Sequence, residues 1–309
     1  MSKIISIGSG KGGVGKSIIT ANLAAHLASN GKKVIAIDSD FGGSNLHTYL
    51  GINSPDKSIS DILVKNLKNI EDVIIDTEIE NLKLISADSG FISITNMKFV
   101  QKSKILKEIL KLDADYILMD LGAGSAINII DFFLLSSFPI VITVPEITSF
   151  ENAYTFLKNC TFRHILNGIK KYAFWYKKVI NYFVHPYQYN IFSINDLLNK
   201  MEKENKEIFD IIVDQIENFQ PNLILNRITQ LSEINLGERI KQIVKKYLNV
   251  DLHFLGYFEE DYSVKTLINQ NQLIIKKNPF SKISLRIKDL AETIINQEKY
   301  GKQHIIKTN

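Results

Sequence analysis

Gly8-Ser9-Gly10-Lys11-Gly12-Gly13-Val14-Gly15-Lys16-Ser17 follows a short apolar run, Ile4 to Ile7, and leads into a helix-patterned segment, Ile18 to Leu27. Strand, glycine loop and helix in that succession are the setting a phosphate-binding loop requires. Glycine permits the backbone conformations that let successive N–H groups converge on phosphate oxygens, and the helix N-terminus adds partial positive charge. The spacing Gly10-x4-Gly15-Lys16-Ser17 fits the whole pattern, in which Lys16 reaches the outer phosphates and the Ser17 hydroxyl a Mg2+ ion. Gly10, Gly12, Gly13, Val14, Gly15, Lys16, Ser17 and Ile18 therefore make up the candidate nucleotide cradle. The plain alternative, a glycine-rich turn that binds nothing, fits poorly with the strand before it and the helix after it.

Working outward, Val34-Ile-Ala-Ile-Asp38 is an apolar run that ends in an acid. The carboxyl ends of parallel strands face the ligand crevice, so Asp38 is placed to touch Mg2+ or its waters. Asp40, two residues on, could orient an attacking water, although aspartates are also common in turns. Ser58-Ile-Ser-Asp61 reads as a capping box, Leu82 to Ser86 as a strand and Lys102 to Leu110 as an amphipathic helix. Tyr116-Ile-Leu-Met-Asp120 is a second apolar run ending in an acid, so Asp120 joins Ser17 and Asp38 as a candidate metal residue. Gly122 and Gly124 leave backbone room beside an outer phosphate. Phe138 to Val144, Leu223 to Asn226 and Leu252 to Tyr257 complete the strand-like runs. Strands alternating with helices imply an α/β fold: a doubly wound, mostly parallel sheet flanked by helices.

Composition narrows the class. The chain has 309 residues, 45% hydrophobic and 23% charged, with a net charge of +4. That suits a single domain spanning residues 1–309, and the charge is too mild to argue for nucleic acid by itself. A lone cysteine, Cys160, rules out a disulfide scaffold or an iron–sulfur cluster held by one chain. No apolar run is long enough to cross a bilayer, the first strand begins at the N-terminus, and a cytoplasmic protein is expected.

Lys11 adds a second cation at the start of the loop, and Lys11-Gly-Gly-Val-Gly-Lys16-Ser17 resembles the deviant Walker A loop of the MinD/ParA family, the SIMIBI class of P-loop NTPases. The resemblance implies an ATP-dependent ATPase with Mg2+, in which Lys11 crosses to the nucleotide of a second subunit. Lys11, Lys16 and Asp40 are then the expected catalytic set. Asp38-x-Asp40-x-Gly-x-x-Asn45 is similar to the first switch of the MinD and FlhG branch, with Asn45 sensing the γ-phosphate or the partner. Glu146 and Asn152, in Pro145-Glu146-Ile-Thr-Ser-Phe-Glu-Asn152, are expected at the dimer face. Asn226 is expected to read adenine, with Arg227 beside it. Relatives usually carry proline where this chain has Phe258. The implied function is that of a positioning ATPase for a division site, flagellum or other polar cargo, with an activating or cargo protein as partner. The alternatives are an ATP-gated DNA-partition protein and a nucleotide-gated scaffold.

Two segments depart from that pattern. Residues 161–220 read as a helical insertion. Phe162, Ile165, Ile169, Tyr172, Tyr176, Ile180 and Phe183 share one helical face, while Arg163/His164, Lys170/Lys171 and Lys177/Lys178 recur opposite every seven residues. That basic stripe, with Phe174 and Trp175 beside it, fits an anionic membrane surface, DNA or an acidic partner, or a solvated face over aromatics packed inward. The tail from Glu298 to Asn309 offers only Ile305 and Ile306 for insertion, too little for a stable lipid anchor.

Overall fold

The computed structural model describes residues 2–64, 69–87, 99–269 and 272–300 of the chain. Eight strands form one sheet: β1 (Lys3–Ser9), β2 (Val34–Ser39), β3 (Ile75–Asp76), β4 (Leu82–Ile85), β5 (Tyr116–Ala123), β6 (Ile140–Thr143), β7 (Asn222–Ile228) and β8 (His253–Glu259). Their order is β3-β4-β2-β5-β1-β6-β7-β8, and every pairing is parallel except the antiparallel edge pair β3 and β4. The expected doubly wound α/β architecture is what forms.

Alternation along the strands explains the two helical layers. Ile4, Ile35, Ile37, Ile117 and Met119 belong to one buried cluster. Ile5, Ile7, Val34, Ala36, Tyr116 and Leu118 belong to the other. Successive side chains leave a strand on opposite faces, so apolar runs with no polar position must be covered on both sides. One face is covered by α1 (Lys16–Ser29), with α2 (Leu46–Tyr49) beside it. The other takes residues of α3 (Ile59–Val64), α4 (Phe99–Ile109), α5 (Ile127–Phe133) and α6 (Ile147–Gly168). At the start of α3, where the capping box is expected, the Asp61 carboxylate accepts from the Ser58 backbone N–H at 2.9 Å and from the Ser58 hydroxyl at 3.4 Å.

Between β6 and β7 all the regular structure is helical, and here a prediction fails. The helix expected to run on past residue 168 stops there, and a turn precedes α7 (Ala173–Val184). Next come α8 (Pro186–Tyr189), α9 (Ile194–Glu204) and α10 (Lys206–Asn218). A Cβ on Gly168 would stand 2.5 Å from the Gln215 side chain, so α10 crosses the end of α6 at glycine distance. The buried face then shifts by one position: Ile165 and Ile169 face the core before the break, and after it Val179 and Tyr182 do, in place of the expected Ile180 and Phe183, which are only half-buried. The fold closes with α11 (Asn235–Leu248), α12 (Tyr262–Asn269), α13 (Ile274–Lys277) and α14 (Lys282–Tyr300). The end of the predicted tail, residues 301–309, lies outside the described residues.

Candidate functional site

The loop 8–17 connects β1 to α1 at the carboxyl edge of the sheet, beside β5 on one side and β6 on the other. Its glycines have separate jobs. Gly13 and Gly15 take φ of +76° and +96°, the left-handed region where a side chain is strained. Gly10 lies against α6: a Cβ there would be 2.0 Å from the Asn152 carbonyl oxygen. No side chain caps α1 and no acid occupies its first turn, so its leading N–H groups remain available to an anion. Lys16 is buried and its Nζ donates to the Ser9 Oγ at 3.1 Å. Burial lowers its pKa, and the charges of Asp120, Asp40 and Asp38 pull the other way.

Asp38 and Asp120 face each other in register on β2 and β5, and both are buried. Burial raises both pKa values; the Asp38 charge raises that of Asp120 further and the Asp40 charge that of Asp38, while hydrogen bonds to each carboxylate pull the other way. Asp120 accepts a hydrogen bond from Ser17, and Thr20 Oγ1 stands 3.5 Å from it. A pair of apposed buried carboxylates next to a hydroxyl invites a cation. The donors suit Mg2+, a hard ion that takes one or two protein oxygens and fills the rest with water and phosphate. Among the described residues no three His, Cys, Asp or Glu side chains converge as a fuller metal cage. Asp38 differs from expectation in one respect. One of its oxygens accepts from the Asp40 N–H at 2.9 Å, the other from Ser44 Oγ at 2.7 Å and the Leu46 N–H at 3.0 Å. Here it fastens the loop that carries Asp40 and Asn45.

That loop meets the one after β5. Asp40 accepts from the Gly42 N–H at 3.2 Å, and a Cβ on Gly122 would lie 3.3 Å from the same oxygen. Gly124, at φ +91°, donates its N–H to the Ser9 carbonyl at 3.0 Å. Asn45 donates to the Gly43 carbonyl at 2.7 Å and stands at the start of α2. Lys11 is drawn to the exposed start of α6, where Nζ donates to Glu146 Oε2 at 2.6 Å and lies 3.5 Å from Thr148 Oγ1. Asn152 is exposed one turn further along, its amide on the Thr148 carbonyl. Lys11, Glu146 and Asn152 thus share one open side of the site. A solvent-exposed pair such as Lys11–Glu146 contributes about 0–1 kcal/mol, so exchanging it for another anion costs little.

Beyond Ile18 lies a cavity of about 200 Å3 lined by Ile19, Asn226, Arg227, Glu260 and Val264 among others. Its size and its place at the end of the phosphate loop suit a base. Asn226 is buried and already donates one amide N–H to the Val14 carbonyl at 2.7 Å, so it braces the loop as well as lining the cavity. Arg227 sits at φ +58°, its Nε 3.7 Å from Glu260. Sequence reasoning missed Ser9, Thr20, Ser44 and Glu260. Ser9 and Thr20 flank the motif closely enough to have been found; the other two are brought in by the fold.

The basic stripe does not survive folding. Arg163 clamps Asp131, with Nε at 2.7 Å, and Asp131 also takes Lys102. His164 packs on the Phe219 ring, and Lys178 pairs with Glu204 at 2.9 Å. The break after Gly168 then turns Lys170, Lys171 and Lys177 off the line of α6. Those three are exposed.

Comparison with known proteins agrees with this geometry. A family model described as an AAA domain matches residues 2–171. The septum site-determining protein MinD of Helicobacter pylori is 37% identical over 154 residues, 50% of this chain and 57% of the relative. The match thus spans little more than half of that relative's length. The flagellum site-determining protein YlxH of the same organism is 27% identical over 99% of this chain and 86% of its own. Among solved structures, MinD complexed with Mg-ADP from Pyrococcus horikoshii aligns with a TM-score of 0.66 at 23% identity, covering 99% of this chain and 100% of that one.

Proposed function

The chain belongs to the AAA-domain family of MinD/ParA type, and from that premise we propose that it is an ATP-dependent positioning ATPase of the MinD/FlhG kind. ATP with Mg2+ would bring two protomers together across the open side that carries Lys11, Glu146 and Asn152. The dimer would engage a division site, flagellum or other polar assembly, and hydrolysis would release it. The observation that carries the reading is Lys11: a second loop lysine, held on that open side by a weak exposed contact rather than committed to the chain's own loop. YlxH, alike over nearly the full chain, supports a site-determining role.

The chemistry is attack of water on the outer phosphate, with positioning and charge neutralisation supplying the rate. Lys16 would hold the outer phosphates, and Asp40, beside the Gly122 backbone, would accept a hydrogen bond from the attacking water. Ser17, Asp120 and Asp38 would hold Mg2+, which neutralises phosphate charge when bound. Asn226, with Arg227, would contact the base. Lys16→Ala is expected to abolish ATP binding in calorimetry, while Asp40→Ala keeps ATP and accumulates a dimer on size exclusion. Equal turnover by wild type and Asp40→Ala would remove Asp40 from that role.

A further inference from the structure

Between Glu151 and Asp196 the chain contains no acidic residue, yet it carries Lys158, Arg163, Lys170, Lys171, Lys177 and Lys178. Most of this stretch packs inward; one side of it does not. On α7, Val179 and Tyr182 are buried, while Phe174, Lys177, Asn181 and Val184 are exposed. At about 100° per residue these four fall within one stripe. Phe174 is 68% exposed and Val184 61%, both large apolar groups that a water-facing helix surface has no use for. At the end of the helix the chain turns through α8, where Tyr187 is 84% exposed, to Phe192 just before α9, 60% exposed, with the two rings 5.4 Å apart. Lys170 and Lys171 lie exposed in the turn before α7. Of the acids on the neighbouring helices, Glu204 holds Lys178 and Tyr182, and Glu207 takes the Tyr172 hydroxyl.

We infer that the outer side of α7 and α8 is a docking surface for an anionic lipid bilayer. Phe174, Val184, Tyr187 and Phe192 enter the headgroup boundary, and Lys170, Lys171 and Lys177 meet the lipid phosphates. Charge of one sign, set among protruding aromatic and aliphatic groups, is the composition of an interfacial membrane surface. A DNA duplex would use the cations but gain nothing from burying Val184. A docked protein is commonly met by charges of both signs at the rim. This inference does not depend on the ATPase reading, because the surface lies on helices that contribute nothing to the nucleotide cradle.

Trp175 supplies a local probe. It is the chain's single tryptophan, and its ring lies 5.2 Å from that of Phe174. Full-length protein is mixed with vesicles of phosphatidylcholine containing about a third phosphatidylglycerol, and with phosphatidylcholine alone. Co-sedimentation with the anionic vesicles only is expected, together with quenching of tryptophan emission when the acyl chains are brominated. The exposed-site variants Lys170→Glu/Lys171→Glu/Lys177→Glu and Phe174→Ser/Tyr187→Ser/Phe192→Ser should each weaken vesicle binding by about tenfold or more. Their circular dichroism should stay unchanged. Binding without bromolipid quenching would place the anchor elsewhere in the chain and overturn the inference. So would equal binding to neutral vesicles, or retention by duplex DNA, lost in the lysine variant, with no vesicle binding.

Discussion

A methyl group on Gly10 would sit 2.0 Å from the Asn152 carbonyl oxygen, with backbone on both sides of the contact. No side-chain rotation can relieve that, so Gly10→Ala must push the loop away from α6. We expect a loss of about 1–3 kcal/mol in denaturant unfolding and weaker nucleotide binding. A variant melting with the wild type would show that the loop moves freely. Asn226 is linked to the same loop, since one amide N–H holds the Val14 carbonyl. Asn226→Ala removes that brace together with the proposed base contact. ATP affinity should fall about tenfold or more, and the preference for ATP over GTP should narrow. An unchanged preference with weakened affinity would leave Asn226 only the bracing role.

At the scale of elements, Asp131 joins three helices: it lies on α5, Lys102 on α4 and Arg163 on α6. Burial by itself would raise the Asp131 pKa, but hydrogen bonds and charges from Arg163 and Lys102 hold it below the usual carboxylate range. Asp131→Ala would deprive two enclosed cations of that carboxylate, at a cost of about 3–5 kcal/mol. The sign with pH follows from the depressed folded value. This contribution is fully present above the unfolded pKa of about 3.9 and is lost as pH falls through the folded value. The stability gap between wild type and Asp131→Asn should therefore shrink below about pH 4. A gap that stays constant into acid would mean that packing, not charge, holds the junction.

At the scale of the molecule, the phosphate loop, the two acidic strand ends and the loops after them all open on the carboxyl edge of one sheet. Lys11 is the residue there whose contact is cheap to exchange, and the proposed function requires a second protomer to receive it. Specific ATPase activity should then rise with protein concentration until dimer saturates. A flat dependence from monomer to dimer conditions would argue for a self-contained site.

Much of this was legible before any coordinates. Apolar runs without alternation demand helices on both faces, and Gly10-x4-Gly15-Lys16-Ser17 demands a particular loop, because backbone sterics and phosphate geometry act over a few neighbouring residues. Asp38 and Asp120 were legible as strand-end acids; that they stand opposite one another needed the order of strands. Where each lysine of the stripe would point needed the fold for the same reason. The apolar period read over residues 162–183 runs across two helices whose buried faces differ in register, and nothing local marks where the packing of α10 against Gly168 ends the first. Which of its cations would find Asp131 or Glu204, and which would face solvent beside Phe174, depended on side chains brought together from distant segments. The sequence alone determined the glycine loop between the first strand and helix and the layered fold; tertiary structure alone decided the fate of each charge, because ion pairing depends on distance in space and not along the chain.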